Sequence, residues 1–170
     1  CSKQLCQRSA RPKGPFQIAV LRWWCKTHRV AVKTGENMEL GLAGKRVAIT
    51  GGSRGIGRAI ATRMLEEGAS VAICARGQEG VDEALAELQG KGTVIGQAVD
   101  VGNGDELETW LQSSAEELGG LDILINNASG GGGGQTDEKF DANYNVDLMG
   151  LVRGVRATED LLAASGEGAV

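Results

Sequence analysis

The chain has 170 residues, 41% of them hydrophobic and 24% charged, with a formal net charge of −4. This is enough apolar material for one substantial core, and the acidic balance argues against general nucleic-acid binding. The longest apolar runs fall far short of the roughly twenty residues that a membrane-crossing helix needs, so a soluble protein with no membrane partner is expected.

The average conceals a split. Residues 1–37 carry eight Lys/Arg and one acid, with both prolines, three of the four cysteines and the only histidine. Residues 38–170 carry ten Lys/Arg against twenty-one acids and no proline. A balance of +7 against −11 reads as two sources joined. The basic head is therefore expected to be irregular, non-native or disordered: translated upstream sequence or a gene-assignment artefact ahead of a natural start at Met38, with an organelle transit peptide as the weaker alternative. Its Cys1, Cys6, Cys25 and His28 are zinc-ligand types, but no Cys-x-x-Cys knuckle is present and no metal site is expected. Cys74, in a predicted strand, reads as a small buried apolar residue, and a reducing, cytoplasmic setting follows from the cysteine usage.

The second segment, residues 38–170, begins its periodic structure with an apolar strand, Val47 to Ile49, running into Thr50-Gly51-Gly52-Ser53-Arg54-Gly55-Ile56-Gly57. Glycines there can take positive φ and admit a ligand close to the backbone, while Gly57 lets the next helix pack tightly on the sheet. The amides at that helix's N-terminus, at the positive end of its dipole, suit a phosphate or pyrophosphate. Read alone, the stretch is equally a tight turn with a helix cap.

Helical spacing then places Ile56, Ala59, Ile60, Met64 and Leu65 on one face, and Glu66-Glu67-Gly68 ends that helix. A strand over Ser70–Ala75 is followed by a helix from about Gln78 that buries Val81, Ala84, Leu85 and Leu88. Thr93–Val99 is the third strand. Asn103 opens a helix with Glu106 placed as in a capping box, and its face is Leu107, Trp110, Leu111 and Leu118. The fourth strand, Asp122–Asn126, runs into Asn126-Asn127-Ala128, paired amides and a small residue that fit beside a flat ligand. A last helix from about Glu138 puts Leu148, Leu151, Val152, Val155 and Leu162 on one side. Strand and helix alternate with crossovers long enough for parallel pairing, which argues an α/β, doubly wound parallel sheet.

Thr50-Gly-x-x-x-Gly-Ile-Gly57 together with Asn126-Asn-Ala128 resembles the T-G-x-x-x-G-x-G and N-N-A-G patterns of the short-chain dehydrogenase/reductase family, from about residue 40 onward. The resemblance implies a Rossmann-type sheet of strand order 3-2-1-4 with its ligand at the switch point between strands 1 and 4. It implies an oxidoreductase that moves hydride between a nicotinamide cofactor and a small-molecule carbonyl or alcohol. It also implies that residues 38–170 are the N-terminal part of such a domain, truncated after the fourth strand and its following helix. Such a fragment is expected to be inactive and prone to aggregate, and the full-length protein to be a homo-oligomer.

The resemblance assigns cofactor contacts to Gly51, Ser53, Arg54, Gly55, Ile56 and Gly57 in the turn and to Asn127, Ala128 and Ser129 after strand 4. Ser129 breaks N-N-A-G. At the end of strand 2, Ala75 stands where NAD-preferring relatives carry Asp, and Arg76 follows; with Arg54 it would pair with a 2′-phosphate, so NADP is expected over NAD. Asp100 is expected to accept a hydrogen bond from the adenine amine, with Val101 against the ring; the bland reading of Asp100 is a strand-end residue starting the next helix. Gly130 to Gly134 reads either as a flexible loop or as backbone passing beside the nicotinamide, with mobility the safer choice.

The family's N-h-x-G pattern, which supports a proton-relay water, falls on Asp147-Leu148-Met149-Gly150, so Asp147 occupies the catalytic position of an Asn, with Asn145 as a weaker alternative. The family's Tyr-x-x-x-Lys has no counterpart: the only tyrosine is Tyr144, and residue 148 is leucine. A serine triad is excluded too, because the only histidine is His28 in the head. The rival reading is a non-catalytic nucleotide-binding module or pseudoenzyme.

Overall fold

The computed structural model describes residues 40–131 and 136–170. The basic head, with Cys1, Cys6, Cys25 and His28, and most of the glycine run after Gly131 lie outside the described residues.

The elements alternate without exception through the first four strands: β1 (Arg46–Thr50), α1 (Gly55–Glu66), β2 (Ser70–Ala75), α2 (Gln78–Leu88), β3 (Val94–Ala98), α3 (Gly104–Leu118) and β4 (Ile123–Ile125). Then come α4 (Asp137–Asn143), a π-helical turn (Tyr144–Met149) and α5 (Gly150–Ser165). All strand pairs are parallel and the order is β3-β2-β1-β4, the order that the resemblance implied. The switch point thus falls between β1 and β4, where β1 continues one way to β2 and the other way to β4.

Each central strand is buried on both faces, and the two faces differ in size. Val47, Ile49, Val71 and Ile73 pack with Ala61 and Leu65 of α1 and Ala84 and Leu88 of α2. Ala48, Ala72 and Cys74 pack on the other face with Leu107, Trp110 and Leu111 of α3 and Leu162 of α5. Small residues on that side leave room for the indole of Trp110, which is buried as a core residue.

Two helix faces differ from the expected ones. In α1 the buried residues are Gly57, Ala61 and Leu65, while Ile56 is 75% exposed. Gly57 is itself the first face residue, so the helix turns its smallest side to the sheet and Ile56 projects outward. In the last helix, Leu148 and Leu151 are exposed, and the inward line is Gly150, Gly154, Thr158 and Leu162. The π turn over Tyr144–Met149 admits an extra residue per turn and breaks the 3.6-residue period on which the expected face was built.

At the N-terminal end of the sheet, Arg46 of β1 is ion-paired with Asp122, the residue before β4. Beyond α5, Gly166 turns the chain in a left-handed conformation and Ala169 makes a parallel bridge to Ile123. The Leu124 amide donates to the Ala169 carbonyl and the Ala169 amide to that of Asp122, so the outer edge of β4 is partly paired. Among the described residues no helix is long and apolar enough to cross a membrane.

Candidate functional site

The site forms where β1 and β4 end side by side. Thr50, the last residue of β1, is buried, and its hydroxyl accepts the backbone N–H of Asn127 at 3.0 Å and of Ala128 at 3.1 Å. In return the Asn127 side-chain amide donates to the carbonyls of Thr50 at 3.0 Å and Gly51 at 3.1 Å. The glycine turn and the asparagine pair, separated by some 75 residues of sequence, are therefore stitched into one unit.

Glycine is required at two points of this seam. Gly51 has φ +70°, and a Cβ on it would lie 2.9 Å from the Ala128 Cα. A Cβ on Gly57 would fall on the Gly51 carbonyl oxygen and 2.5 Å from the Asn127 amide nitrogen. The first turn of α1 can thus sit directly against the seam. Arg54, at the N-cap of α1, provides no side-chain cap, so the first-turn amides open toward the cleft without a capping side chain.

Above the seam lies a cleft of about 580 Å³. One wall is Gly51, Ser53, Arg54, Gly55 and Ile56; a second is Ala75, Arg76, Gly77 and Gly80; a third is Val99, Asp100 and Val101. Asn127, Ala128, Ser129, Gly131 and Val146 complete it. The fold therefore gathers every residue that the resemblance marked for cofactor contact except Gly57, which is buried beneath the turn as a packing residue. Gly77, Gly80, Val99 and Val146 were not anticipated, whereas Ala75 was expected at the ribose end and Gly131 lies in the run read as a possible neighbour of the nicotinamide. A glycine at the start and another within the first turn of a helix was a readable signal for two of them; Val146 arrives only through tertiary folding.

The charges around the cleft are unevenly committed. Arg54 and Arg76 are exposed and form no ion pair among the described residues, unlike Arg58, which pairs with Glu87 at 3.0 Å. Asp100 accepts the Gly102 amide at 2.9 Å with one carboxylate oxygen. Its own amide donates to Glu106 at 3.0 Å, and Asn103 caps α3 by accepting the Asp105 amide at 3.2 Å. Glu106 thus reaches past the expected capping-box partner, bonding the Asn103 side chain and the Asp100 backbone. Asp100 both shapes the loop and faces the cleft. Beneath the turn, burial pushes the Cys74 thiol up to about 12.

The two residues proposed for catalysis lie outside the cleft lining. Asp147 sits in the π turn and accepts the Gly130 amide at 2.7 Å, while the Asn145 side chain donates to the Asp141 carbonyl at 3.0 Å. Tyr144 is exposed and also outside the lining. Asn126 turns its amide away: its nitrogen is buried without a partner among the described residues, and its oxygen lies beside Gly154 of α5. The described residues contain no His/Cys/Asp/Glu cluster able to hold a metal ion.

Comparison with known proteins gives consistent matches. The sequence profile described as short chain dehydrogenase matches residues 45–170. Isoepoxydon dehydrogenase patN of Penicillium expansum is 37% identical over 134 residues, covering 76% of this chain and 52% of that protein. The structure of L-sorbose reductase from Gluconobacter frateurii, complexed with NADPH and L-sorbose, superposes with a TM-score of 0.72 at 35% identity, covering 76% of this chain and 51% of that one. A short-chain dehydrogenase/reductase from Burkholderia phymatum in complex with NAD gives a TM-score of 0.71 at 28% identity, covering 75% and 47%. The chain spans about half the length of these relatives.

Proposed function

Because the chain belongs to the short-chain dehydrogenase family, we propose that it is the cofactor-binding part of an NADP-dependent oxidoreductase acting on a small carbonyl or alcohol. The observation that carries the reading is that Arg54, on the turn wall, and Arg76, just past the end of β2, line the same cleft, both exposed and without an ion pair among the described residues. A 2′-phosphate needs cations there, whereas a bare ribose needs a carboxylate, and Ala75 offers none. Among structural neighbours both NADPH and NAD occur, so the arginines and not the fold argue for NADP.

The residues present fit a dinucleotide. The uncapped first turn of α1 suits the pyrophosphate, Arg54 and Arg76 the 2′-phosphate, Asp100 and Val101 the adenine, and Asn127 to Ser129 the nicotinamide end. When bound, the nicotinamide supplies hydride chemistry at its C4 carbon. This chain's own residues bind and orient: Thr50 and Asn127 fix the seam on which the ring end would rest, and Ile56 covers it from the helix side. The described cleft lining contains no tyrosine or lysine, the residue types that the family's acid/base pattern uses. We read Asp147 as the residue in the family's asparagine position, acting on the loop through Gly130. We also read the whole protein as a homo-oligomer, supported by the exposed leucines of the last helices, and as cytoplasmic, in keeping with the free thiol of Cys74.

Isothermal titration with NADPH and NADH tests the assignment. Tighter NADPH binding that Arg76→Ala lowers by roughly tenfold, with NADH little changed, is the expected result. Equal affinities for the two cofactors would overturn it. The rival, a nucleotide-binding module without turnover, is favoured by Asp147 and Ser129 standing in family pattern positions. Cofactor binding without activity in a protein that carries a Tyr-x-x-x-Lys would decide for that rival.

A further inference from the structure

Gly80 has no reason to be glycine that lies in its own backbone. It stands in the first turn of α2, outside the left-handed region, and a Cβ there would approach no atom closer than Ser53 Oγ at 3.7 Å. Glycine is disfavoured in a helix relative to alanine because it loses more freedom on ordering. Neither conformation nor protein packing accounts for it. By contrast, Gly96 in β3 and Gly52 in the turn would each press a Cβ against core side chains at 2.9 Å and 2.6 Å.

What Gly80 does is hold back a wall. It lines the cleft with Ser53, Arg54, Arg76 and Gly77. In a helix the Cα–Cβ bond tilts toward the N-terminus, so a side chain at 80 would lean over Gly77 and Arg76 and toward Ser53. That is the space in which the NADP reading above puts the 2′-phosphate. Resting on that reading, we propose that Gly80 is a specificity-determining residue: its missing side chain keeps the rim of the cleft at the start of α2 low, so that a 2′-phosphate can reach Arg54 and Arg76 across it. A cofactor without that phosphate does not cross the rim.

The consequence is a graded response to side-chain size. Alanine at 80 makes an ordinary contact with Ser53 and improves the helix, so Gly80→Ala raises the melting temperature and keeps cofactor preference. A leucine, whose Cβ already rests on Ser53, must send its further carbons over the cleft rim beside Gly77 and Arg76, so Gly80→Leu weakens NADPH by roughly tenfold and NADH by less than about threefold, again without loss of melting temperature. Titration calorimetry of the 170-residue chain with each cofactor, paired with a thermal melt of each variant, reads both effects. Should Gly80→Leu fail to fold, Gly80→Gln replaces it with a good helix former of similar reach. A folded large-side-chain variant that keeps the native NADPH-to-NADH ratio overturns the role of Gly80 alone. A native chain with no preference for NADPH overturns the NADP reading, and this proposal with it.

Discussion

Arg46 and Asp122 form a two-pronged ion pair: Nε donates to Oδ2 and Nη2 to Oδ1, each at 2.8 Å, and the Arg46 amide adds a third bond to Oδ2 at 2.8 Å. Nη1 donates in addition to the Gly119 carbonyl. The pair ties the start of β1 to the start of β4, at the opposite end of the sheet from the cleft. It holds the Asp122 carboxyl down from 3.8 to about 2, chiefly through the Arg46 side-chain hydrogen bonds.

A depressed folded pKa gives stability that is present above the unfolded value and lost as pH falls through the folded one. Asp122 should therefore contribute about 2 kcal/mol that disappears between about pH 4 and pH 2. Urea unfolding at intervals across that window measures it. Asp122→Asn should be less stable by about 3 kcal/mol at neutral pH and should lose most of this acid dependence. An unchanged acid slope in the variant would show that other carboxyls set it.

Thr50→Val preserves shape but removes the acceptor for two backbone amides, those of Asn127 and Ala128. Two part-buried donors left without a partner cost about 1–3 kcal/mol, read as a lower denaturation midpoint. Thr50→Ser keeps the hydroxyl and should recover most of the loss. Cofactor affinity should follow the same order, because the seam supports the cleft.

Gly57→Ala puts a methyl group on the Gly51 carbonyl, a backbone atom that cannot move aside as a flexible side chain would. Overpacking of this kind costs about 1–3 kcal/mol. The displaced turn should lower dinucleotide affinity by roughly tenfold, measured by calorimetry on a folded sample.

Cys74 is buried and its thiol pushed up to about 12, so thiolate is scarce at mildly alkaline pH. Alkylation of the native chain followed by peptide mapping should leave Cys74 unmodified, and denaturant should make it react. Prompt native labelling would mean that the turn above it opens.

Leu148 and Leu151 are 48% and 43% exposed, and Phe140 and Tyr144 are exposed on the same run of helix. Under the homo-oligomer reading, Leu148→Glu with Leu151→Glu should shift the protein toward monomer in analytical ultracentrifugation. Because both side chains are already outside the core, the monomer's melting temperature should change little.

The strands were legible from local periodicity, and their order and most of the cleft only through the family resemblance that the glycine turn and Asn126-Asn-Ala128 carry. Thr50, Gly51 and Asn127 are recognisable by type, and alternation of strand and helix follows from periodicity. Apolar spacing failed where glycine took a face position, at Gly57, and where the π turn added a residue before α5. Trp110 was correctly placed in the core, since a helix face predicts burial well. Val146 reaches the cleft by the path of the chain in space, which no spacing encodes.

The unequal faces of β1 and β2 let the sheet proofread its own alignment. Val47, Ile49, Val71 and Ile73 share one side, and Ala48, Ala72 and Cys74 the other, where Trp110 lies. Slipping either strand by a single residue would drive a β-branched side chain into the indole and leave an alanine in a hole sized for isoleucine. Misaligned pairings are therefore disfavoured sterically. The accepted alignment brings Val47 opposite Val71 and Ile49 opposite Ile125, and it delivers the Thr50 hydroxyl to the Asn127 amide. The cleft's geometry thus depends on side-chain sizes in a layer of the sheet that no ligand touches.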